Sequence, residues 1–317
     1  MKIVNPAAFA LVCILAHTSG ASAKKSFEPK DHSGSGSGKS GHMKTAADFD
    51  GTGAVMKVCP TGDCTAGKFM KLAVASLTEL TAAGDEVGHI DKFKPKNSDW
   101  TDVVEKDVNG ATVYSTTFVT TLEENGALFN LTADIYPVTT AVSYGSQNLT
   151  VPAGSLKFTV DIANWPFDDD ANTLTLAVTL DAKGPKGGKL GKPKKKAKGS
   201  DSGSSDASDV ERVDMGDSMF MDTPTYAMVD GVETPLVNSS VVDTAGDTEF
   251  QWVFTSFKET LHYDPVLGDS STGNTTTTST SSSSSGATTT TSTSSASVMS
   301  LSSLAAGALA AIAYSLF

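Results

Sequence analysis

The side chains with the clearest chemical potential in this sequence are eight lysines between residues 181 and 209, here called the lysine cluster. They are Lys183, Lys186, Lys189, Lys192, Lys194, Lys195, Lys196 and Lys198. A cationic segment of this kind attracts polyanions such as anionic glycans, anionic lipid or silica, weakly and in a salt-dependent way. The cluster lacks the interleaved aromatic residues of single-strand binders, so we expect no nucleic-acid partner.

The lysine cluster stands out against an acidic background. Removing its eight lysines from the net charge of −12 leaves −20 (−12 − 8) for the rest of the chain. Glycine and proline between the lysines exclude a stable amphipathic helix, so we expect a disordered arm over residues 181–209. The alternative is a solvated linker that folds back on the acidic surface of the protein.

The spacing of the cluster carries a resemblance. The run K-x-x-K-x-x-K-x-x-K-x-x-K, followed by the Ser-rich acidic tract SDSGSSDASD, resembles the pentalysine clusters of diatom silica-associated cell-wall proteins. In those proteins modified lysines and phosphoserines are associated with silica deposition and targeting. The resemblance covers residues 183–208 and implies a silica or cell-wall matrix protein that acts through its polycationic loop. The spacers differ, being rich in Gly and Pro rather than Ser and Ala.

Two cysteines predict a disulfide. Cys13 lies near the N-terminus, which leaves Cys59 and Cys64 in CPTGDC. In an oxidising compartment a pair that closes a short loop around turn-forming residues is most simply a structural bridge. The spacing is not that of a C-x-x-C redox motif, and no further zinc ligands lie nearby, so we expect no metal.

Catalytic motifs are absent from the sequence. It contains no G-x-S-x-G elbow, H-E-x-x-H, Walker loop or Rossmann glycine pattern. His89 and His262 are the histidines of the predicted domain, and we interpret His262 as structural. Residues 168–170, three aspartates beside Asn172, could bind Ca²⁺, but a solvated acidic turn is favoured because the EF-hand spacing is missing. We therefore expect no enzyme and no cofactor.

The N-terminus has the features of a secretory signal peptide over residues 1–23. Lys2 supplies the positive charge, residues 7–16 are apolar, and Ala21-Ser22-Ala23 is a small-residue cleavage site. The alternative, a membrane anchor, is disfavoured because a span needs about 20 apolar residues. Residues 24–54 contain a Ser-Gly repeat and few apolar residues, which predicts a disordered leader.

The C-terminus predicts attachment to a membrane by a glycosylphosphatidylinositol (GPI) anchor. Residues 269–297 form a Ser/Thr-rich stalk, and residues 298–317 are an apolar tail with no charge behind it. Small residues, a polar spacer and such a tail are the parts of a GPI signal, with Ser285 as the attachment residue. The alternative is a membrane-spanning tail, because this segment is just long enough to span.

The composition also predicts glycosylation. Sequons for N-glycosylation begin at Asn130, Asn148, Asn238 and Asn274. The Ser/Thr-rich stalk resembles O-glycosylated spacers in composition, although it lacks their frequent prolines.

The fold prediction is an all-β, antiparallel β-sandwich over residues 55–268. Residues 155–180 alternate apolar and polar side chains on both sides of a polar corner, so we expect a hairpin there. Further short strands are divided by turns such as Asn125-Gly126 and Asp230-Gly231. Residues 69–83 fit a helical stripe as well as a strand, and we predict a strand because a turn and β-like segments follow. Five aromatic residues are expected in the core rather than on a sugar-stacking surface, because strand alternation would bury most of them; they are Trp165, Phe167, Trp252, Phe254 and Phe257.

A second resemblance covers more of the chain. The segments FTVDIANWPF, AMVDGVETPLVN and FQWVFTSFKETLHYDPVLG are similar to an extracellular β-domain of uncharacterised secreted proteins of unicellular eukaryotes. The resemblance implies the fold and no activity.

The sequence therefore predicts a glycosylated, GPI-anchored, non-enzymatic protein at the extracellular face of the plasma membrane or in the cell wall. The expected role is adhesion or organisation of a cell coat, with the membrane as partner through the lipid anchor. Two alternatives stay open at this point. One is a silica or cell-wall matrix protein that works through the lysine cluster, and the other is a secreted hydrolase with an unrecognised site.

Overall fold

The computed structural model describes residues 25–28, 45–50, 53–93, 99–188, 190, 193–195, 210–244 and 247–271. The chain divides into two units, Met1–Thr275 and Thr276–Phe317, and every described residue belongs to the first. Within the described residues all regular structure is β-strand, apart from one 3₁₀ turn at Pro185–Gly187. The all-β, antiparallel fold class is confirmed.

The first sheet has eight strands within the described residues. Their order across the sheet is β1 (Lys25–Phe27), β2 (Ala46–Asp50), β3 (Val55–Cys59), β4 (Phe69–Leu80), β12 (Thr173–Lys183), β19 (Asp247–Thr255) and β18 (Asn238–Thr244), with β5 (Glu86–Ile90) also paired to β4. The long strand β4, predicted from an ambiguous segment, shows the strand periodicity: Met70, Leu72 and Val74 are buried and Lys71 between them is exposed.

The second sheet is centred on β11. Its strands are β6 (Val104–Val108), β7 (Ala111–Thr121), β8 (Leu128–Tyr136), β11 (Ser155–Ala163), β20 (Thr260–Tyr263), β21 (Val266–Asp269), β15 (Met219–Pro224), β14 (Val210–Gly216), β13 (Lys194–Lys195), β16 (Tyr226–Val229) and β17 (Val232–Pro235). One edge of β11 pairs with β8, and its other edge pairs first with β21 and then with β20. Asp264-Pro265 separates these two strands because proline has no N–H for the ladder.

A third, two-stranded sheet is formed by β9 (Thr140–Tyr144) and β10 (Gln147–Val151). Its Val151 packs with Val113, Tyr136 and Val266, which alternate with the core-facing residues of the second sheet. The small sheet therefore lies over the outer face of the second sheet.

The core lies between the two large sheets. Phe158 of β11 and Trp252 of β19 have ring centroids 6.5 Å apart, and Trp252 lies 5.3 Å from Tyr263 of β20. Trp165, Trp252, Phe254 and Phe257 are buried, as predicted, and Phe167 packs against the same cluster. The large aromatic side chains fill the space between the sheets that a sandwich requires.

The predicted hairpin over residues 155–180 is wrong. Strand β11 belongs to the second sheet and β12 to the first, where β12 pairs with β4 and β19. The polar corner, residues 164–172, therefore carries the chain across the sandwich from one sheet to the other. Alternation identifies the buried face of each strand, but two strands that face one core from opposite sides show the same alternation.

A buried carboxylate fixes this corner. Glu79 of β4 is only 4% exposed and accepts hydrogen bonds from the indole N–H of Trp165 (2.9 Å), the backbone N–H of Asp168 (2.9 Å) and the amide of Asn172 (2.7 Å). All three donors belong to the corner. Glu79 of the first sheet thus fixes the segment through which the chain crosses from the second sheet to the first.

The ordered part of the chain begins earlier than predicted. Strands β1 and β2 lie within residues 24–54, which the sequence analysis assigned to a disordered leader. Phe27 and Phe49 are buried, and their rings contact Tyr114 (4.6 Å) and Trp100 (4.9 Å). Two isolated aromatic residues in a Gly/Ser-rich segment gave too weak a pattern to predict strands.

Two predicted turns are confirmed. Asn125 and Gly126 connect β7 to β8, and Gly126 has φ 77°. Asp230 (φ 50°) and Gly231 (φ 76°) connect β16 to β17 with both central residues in the left-handed region, which favours Gly and Asp.

Replacing Glu79 tests the role of the corner. In Glu79→Gln one carboxylate oxygen becomes an NH₂ group, which leaves a buried donor facing another donor. We expect the free energy of unfolding to fall by about 1–3 kcal/mol, seen as a lower urea midpoint with an unchanged m-value. Glu86→Gln is the matched control, because the Glu86 side chain is 60% exposed. Equal midpoints for the two variants would contradict this role.

Candidate functional site at the lysine-bearing end of the sandwich

The structure places the first part of the lysine cluster at one end of the sandwich. Strand β12 continues to Lys183, which pairs with Phe69 of β4. The 3₁₀ turn follows, and the backbone N–H of Lys186 donates to the carbonyl of Ala66 at 3.1 Å. Leu190 packs against the core. We call this region the lysine-bearing end.

The predicted disordered arm over residues 181–209 is thus wrong where the chain is described. Lys194 and Lys195 also form the short strand β13 beside β14. The order arises because β4, twelve residues long, offers β12 partners beyond Leu180, and because Leu190 finds an apolar contact. Lys189, Lys192, Lys196 and Lys198 lie outside the described residues, as does the side chain of Lys195.

Three lysine side chains of the cluster are described. Lys186 and Lys194 are exposed. The Lys183 side chain is 36% exposed, and its ammonium lies 3.3 Å from the Asp181 carboxylate. Lys186 and Lys194 are therefore the described lysines of the cluster that can meet a polyanion with little rearrangement.

The predicted disulfide is confirmed, and its loop supports this end. Cys59 and Cys64 are bonded, with an S–S distance of 2.05 Å. Inside the loop, the Asp63 carboxylate accepts the backbone N–H groups of Ala66 (3.0 Å) and Thr65 (2.7 Å), and these bonds lower the pKa of Asp63. Because Ala66 in turn binds Lys186, the disulfide loop and the lysine cluster are joined.

A buried ion pair ties the last strand to the same end. The Lys68 ammonium lies 2.5 Å from the carboxylate of Asp269, whose side chain is fully buried. Lys68 also donates to the carbonyl of Asp217 at 3.1 Å, and Asp269 accepts the backbone N–H of Ser271 at 2.8 Å. The last described residue, Ser271, therefore lies beside Lys68, whose ammonium donates to its hydroxyl at 3.4 Å. Removal of one partner from such a pair leaves a buried charge uncompensated.

A second charged group, here called the ionic network, lies on the outer face of the second sheet, beside the small sheet. The Lys157 ammonium is 2.9 Å from the Asp264 carboxylate and 4.0 Å from that of Asp134. The hydroxyl of Thr159 donates to Asp264 at 2.6 Å, and the ammonium of Lys106 binds Asp134 at 2.7 Å. Lys157, Asp134 and Asp264 are buried.

His262 completes the ionic network. Its Nδ1 lies 2.6 Å from the Asp161 carboxylate, and its Nε2 lies 3.5 Å from that of Asp264. Burial lowers the pKa of His262, but the hydrogen bonds to Asp161 and Asp264 outweigh it and raise the pKa to about 9. Burial raises the pKa of Asp264, yet His262 and Lys157 hold it well below its usual range.

Protonated His262 balances the network. The three cations Lys106, Lys157 and His262 then face the three carboxylates of Asp134, Asp161 and Asp264. These ion pairs connect side chains of adjacent strands and so stabilise the sheet. A structural role for His262 is predictable from the sequence, but its partners are not, because His262 and Asp161 are 101 residues apart in the chain. Strand pairing, which the sequence does not specify, brings them together.

The structure describes some of the predicted modification sites but not all of them. Asn148 and Asn238 are exposed and Asn130 is half-buried, whereas Asn274 and Ser285 lie outside the described residues. Among the described residues no cluster of three or more His, Cys, Asp or Glu could hold a metal ion. The described part of the chain also contains no helix long and apolar enough to cross a membrane. The predicted signal peptide, residues 1–23, and the predicted apolar tail, residues 298–317, lie outside the described residues.

The raised pKa of His262 predicts a loss of stability at alkaline pH. Its pKa in the folded state, about 9, exceeds the ordinary value of 6.5, so its stabilisation is complete below the unfolded-state value and is lost as the pH rises through about 9. The His262 side chain is 38% exposed. Because solvent screens its charge, we expect protonated His262 to contribute only about 1–2 kcal/mol to the free energy of unfolding.

Urea unfolding of the wild type and His262→Gln at several pH values measures this effect. The difference in unfolding free energy should be largest at pH 6 and absent by pH 10. His89→Gln, which changes a histidine with a 41% exposed side chain, is the control. A difference for His262→Gln that does not vary with pH would be inconsistent with a charged His262.

Comparison with known proteins places the chain in a family. The model of a family described as acidic skeletal organic matrix protein matches residues 62–301. This range contains the disulfide partner Cys64, most of both large sheets, the lysine cluster and the Ser/Thr-rich segment. A comparison with curated proteins finds no match. Because the family match covers more than half of the chain, the protein belongs to the acidic skeletal organic matrix protein family.

Proposed function

We propose that the protein is a non-enzymatic structural component of an extracellular skeletal matrix, and that its lysine-bearing end binds acidic matrix polymers. The observation that carries this proposal is the family match over residues 62–301, which includes the lysine cluster. A skeletal organic matrix is extracellular material, which agrees with the predicted secretion. The matrix alternative of the sequence analysis thereby becomes the leading function.

The distribution of charge supports two complementary contacts. The rest of the chain has a net charge of −20 once the eight lysines are removed (−12 − 8), so most of the surface attracts cations. The lysine-bearing end attracts anions. A protein of this kind can connect mineral or bound cations to acidic polymers of the matrix.

Membrane attachment through Ser285 is the second part of the proposal. Its support is the sequence of the C-terminus, in which small residues, a polar spacer and an uncharged apolar tail follow one another. A GPI anchor would hold the protein at the extracellular face of the plasma membrane, where a coat or matrix assembles. Adhesion at that surface is the alternative role that this anchor favours.

The geometry gives the hydrolase alternative little support. Two clefts, of about 350 and 480 Å³, occur in the described part of the chain, and neither is lined by histidine or cysteine. The His262 imidazole is held by two carboxylates, and no described serine or threonine hydroxyl bonds to it. At His262, therefore, no nucleophile lies beside a free base, which acyl transfer needs. The other histidine of the domain, His89, has the Thr78 hydroxyl 2.9 Å from its Nδ1, and both lie on the partly exposed pair of strands β4 and β5.

Replacing the exposed lysines tests the binding proposal. Lys186→Gln together with Lys194→Gln should weaken binding to immobilised dextran sulfate. Each lysine near an anionic surface contributes about 1 kcal/mol to binding. We therefore expect the dissociation constant of the double variant to be about 30-fold larger than that of the wild type at low salt. The effect should shrink in 1 M salt because screening is stronger there.

The matched control replaces two exposed lysines elsewhere. Lys92 and Lys258 are both exposed. Lys258 follows β19 at the end of the sandwich opposite Lys183, since Thr255 pairs with Thr173 at the start of β12. Lys92→Gln with Lys258→Gln removes the same charge and should weaken binding less than about threefold. Equal losses for the two double variants would show that net charge, not the lysine-bearing end, governs binding.

A further inference from the structure

The buried pair of Lys68 and Asp269 brings together one residue from each large sheet. Lys68 comes directly before β4 of the first sheet, and Asp269 is the last residue of β21 in the second. The Nζ of Lys68 lies 2.5 Å from the Oδ2 of Asp269. Two side chains that are far apart in the chain are therefore in direct contact at the lysine-bearing end.

Water has little access to this pair. The Asp269 side chain is fully buried, and the Lys68 side chain is only 9% exposed. Asp269 pairs across the sheet with Met219, which is also fully buried. Charged groups lose solvation in such a site, which lowers the cost of moving a proton from an ammonium to a carboxylate. The products of that transfer are a neutral amine and a neutral carboxylic acid.

An amine and a carboxylic acid in contact are the reactants of an amide bond. Groups that a fold holds next to one another react as if each were present at an effective concentration on the order of 10⁵–10⁸ M. Such a concentration favours bond formation and opposes the reverse reaction with water. Contact between Lys68 and Asp269 therefore supplies the proximity that the reaction needs.

The Asp269 carboxyl group is also held in an orientation suited to attack. Its Oδ1 accepts the backbone N–H of Ser271 at 2.8 Å and the hydroxyl of Ser271 at 2.6 Å. Two donors on one oxygen stabilise the negative charge that develops there when the carbon becomes tetrahedral. The other oxygen, Oδ2, lies beside the Lys68 Nζ and is the one that can leave.

Another carboxylate lies close to the amine. The carbonyl of Asp217 accepts a hydrogen bond from the Lys68 Nζ at 3.1 Å, and the Asp217 carboxylate lies 3.9 Å from the same nitrogen. A carboxylate in this position can take a proton from the nitrogen and return it to the departing oxygen. The group therefore contains a nucleophile, a polarised acceptor and a proton carrier.

We propose that the Nζ of Lys68 and the Cγ of Asp269 form an intramolecular amide bond, which joins the first sheet covalently to the second. This inference goes beyond the proposed function, since it concerns no ligand.

The reaction is balanced without any other reactant. One proton moves from Nζ to Oδ2 of Asp269, and the neutral amine attacks Cγ. Asp217 takes a second proton from the nitrogen and passes it to Oδ2. The bond between Cγ and Oδ2 then breaks, one water leaves, and the third proton stays on the amide nitrogen.

The ionic network provides an internal comparison. Lys157 and Asp264 are also buried, and the Lys157 Nζ lies 2.9 Å from the Asp264 carboxylate. Burial raises the pKa of Asp264, but His262 and Lys157 hold it well below its usual range. Asp264 therefore stays ionised, and an ionised carboxylate resists attack by an amine. Of these two pairs, we expect the amide only between Lys68 and Asp269.

The test uses the full chain expressed in a eukaryotic secretory host. The protein is denatured, reduced and treated with glycosidases, its free lysine amines are acetylated, and a protease digest is analysed by tandem mass spectrometry. We expect the peptide of Lys68 to be joined to the peptide of Asp269, with a mass lower than the sum of the two by one water. Lys68 should escape acetylation, whereas Lys157 in the same sample should be acetylated.

Two variants separate the reaction from the ion pair. Lys68→Arg keeps the positive charge but offers no amine, so it should give no joined peptide. Asp217→Asn keeps the carbonyl and removes the proton carrier, so bond formation after a pulse of isotope-labelled amino acids should be about 100-fold slower. A cooperative urea transition shows that each variant is folded.

Three outcomes would contradict these assignments. Acetylated Lys68 as the main form in the folded wild type would overturn the amide bond. An amide at Lys157 without one at Lys68 would overturn the physical reason given for the choice of pair. An unchanged rate in Asp217→Asn would contradict the part of Asp217 in the reaction.

Discussion

Three hydrogen bonds to one buried carboxylate hold the two sheets of this protein in their relative arrangement. Glu79 belongs to β4 of the first sheet, and its donors Trp165, Asp168 and Asn172 belong to the corner that arrives from the second sheet. Every strand that follows the corner depends on its path. Strand β12 begins directly after the corner and pairs with β4 as far as Lys183 at the lysine-bearing end.

The same end collects contacts from distant parts of the chain. Lys68 and Asp269, 201 positions apart, form a buried ion pair there, and the disulfide loop binds the turn that contains Lys186. The described lysines of the cluster thus lie beside a buried ion pair and the disulfide loop.

The ionic network has a different role. Its three carboxylates are matched by three cations, so it adds no net charge and serves the packing of β8, β11 and β20. The charges available for partners are therefore those on the surface, which include the exposed Lys186 and Lys194 of the lysine cluster. This division between internal and external charge suits a structural protein of a charged matrix.

Local patterns in the sequence were sufficient for the fold class, for the disulfide between Cys59 and Cys64 and for the turns at Gly126 and Gly231. These features depend on neighbouring residues. The sequence could not predict which sheet β11 and β12 join, because both strands show the same alternation. The sequence also could not predict that His262 pairs with Asp161 and Lys68 with Asp269, because these contacts depend on the order of the strands in the sheets.

The central claim is that this chain is built into an extracellular skeletal matrix. Its most direct test is mass spectrometry of the organic fraction that is released when an oxidant-cleaned skeleton of the source organism is dissolved. The account predicts peptides from the sandwich in this occluded fraction and none from residues 298–317. Peptides found only in the cell or medium fractions, and never within the mineral, would contradict it.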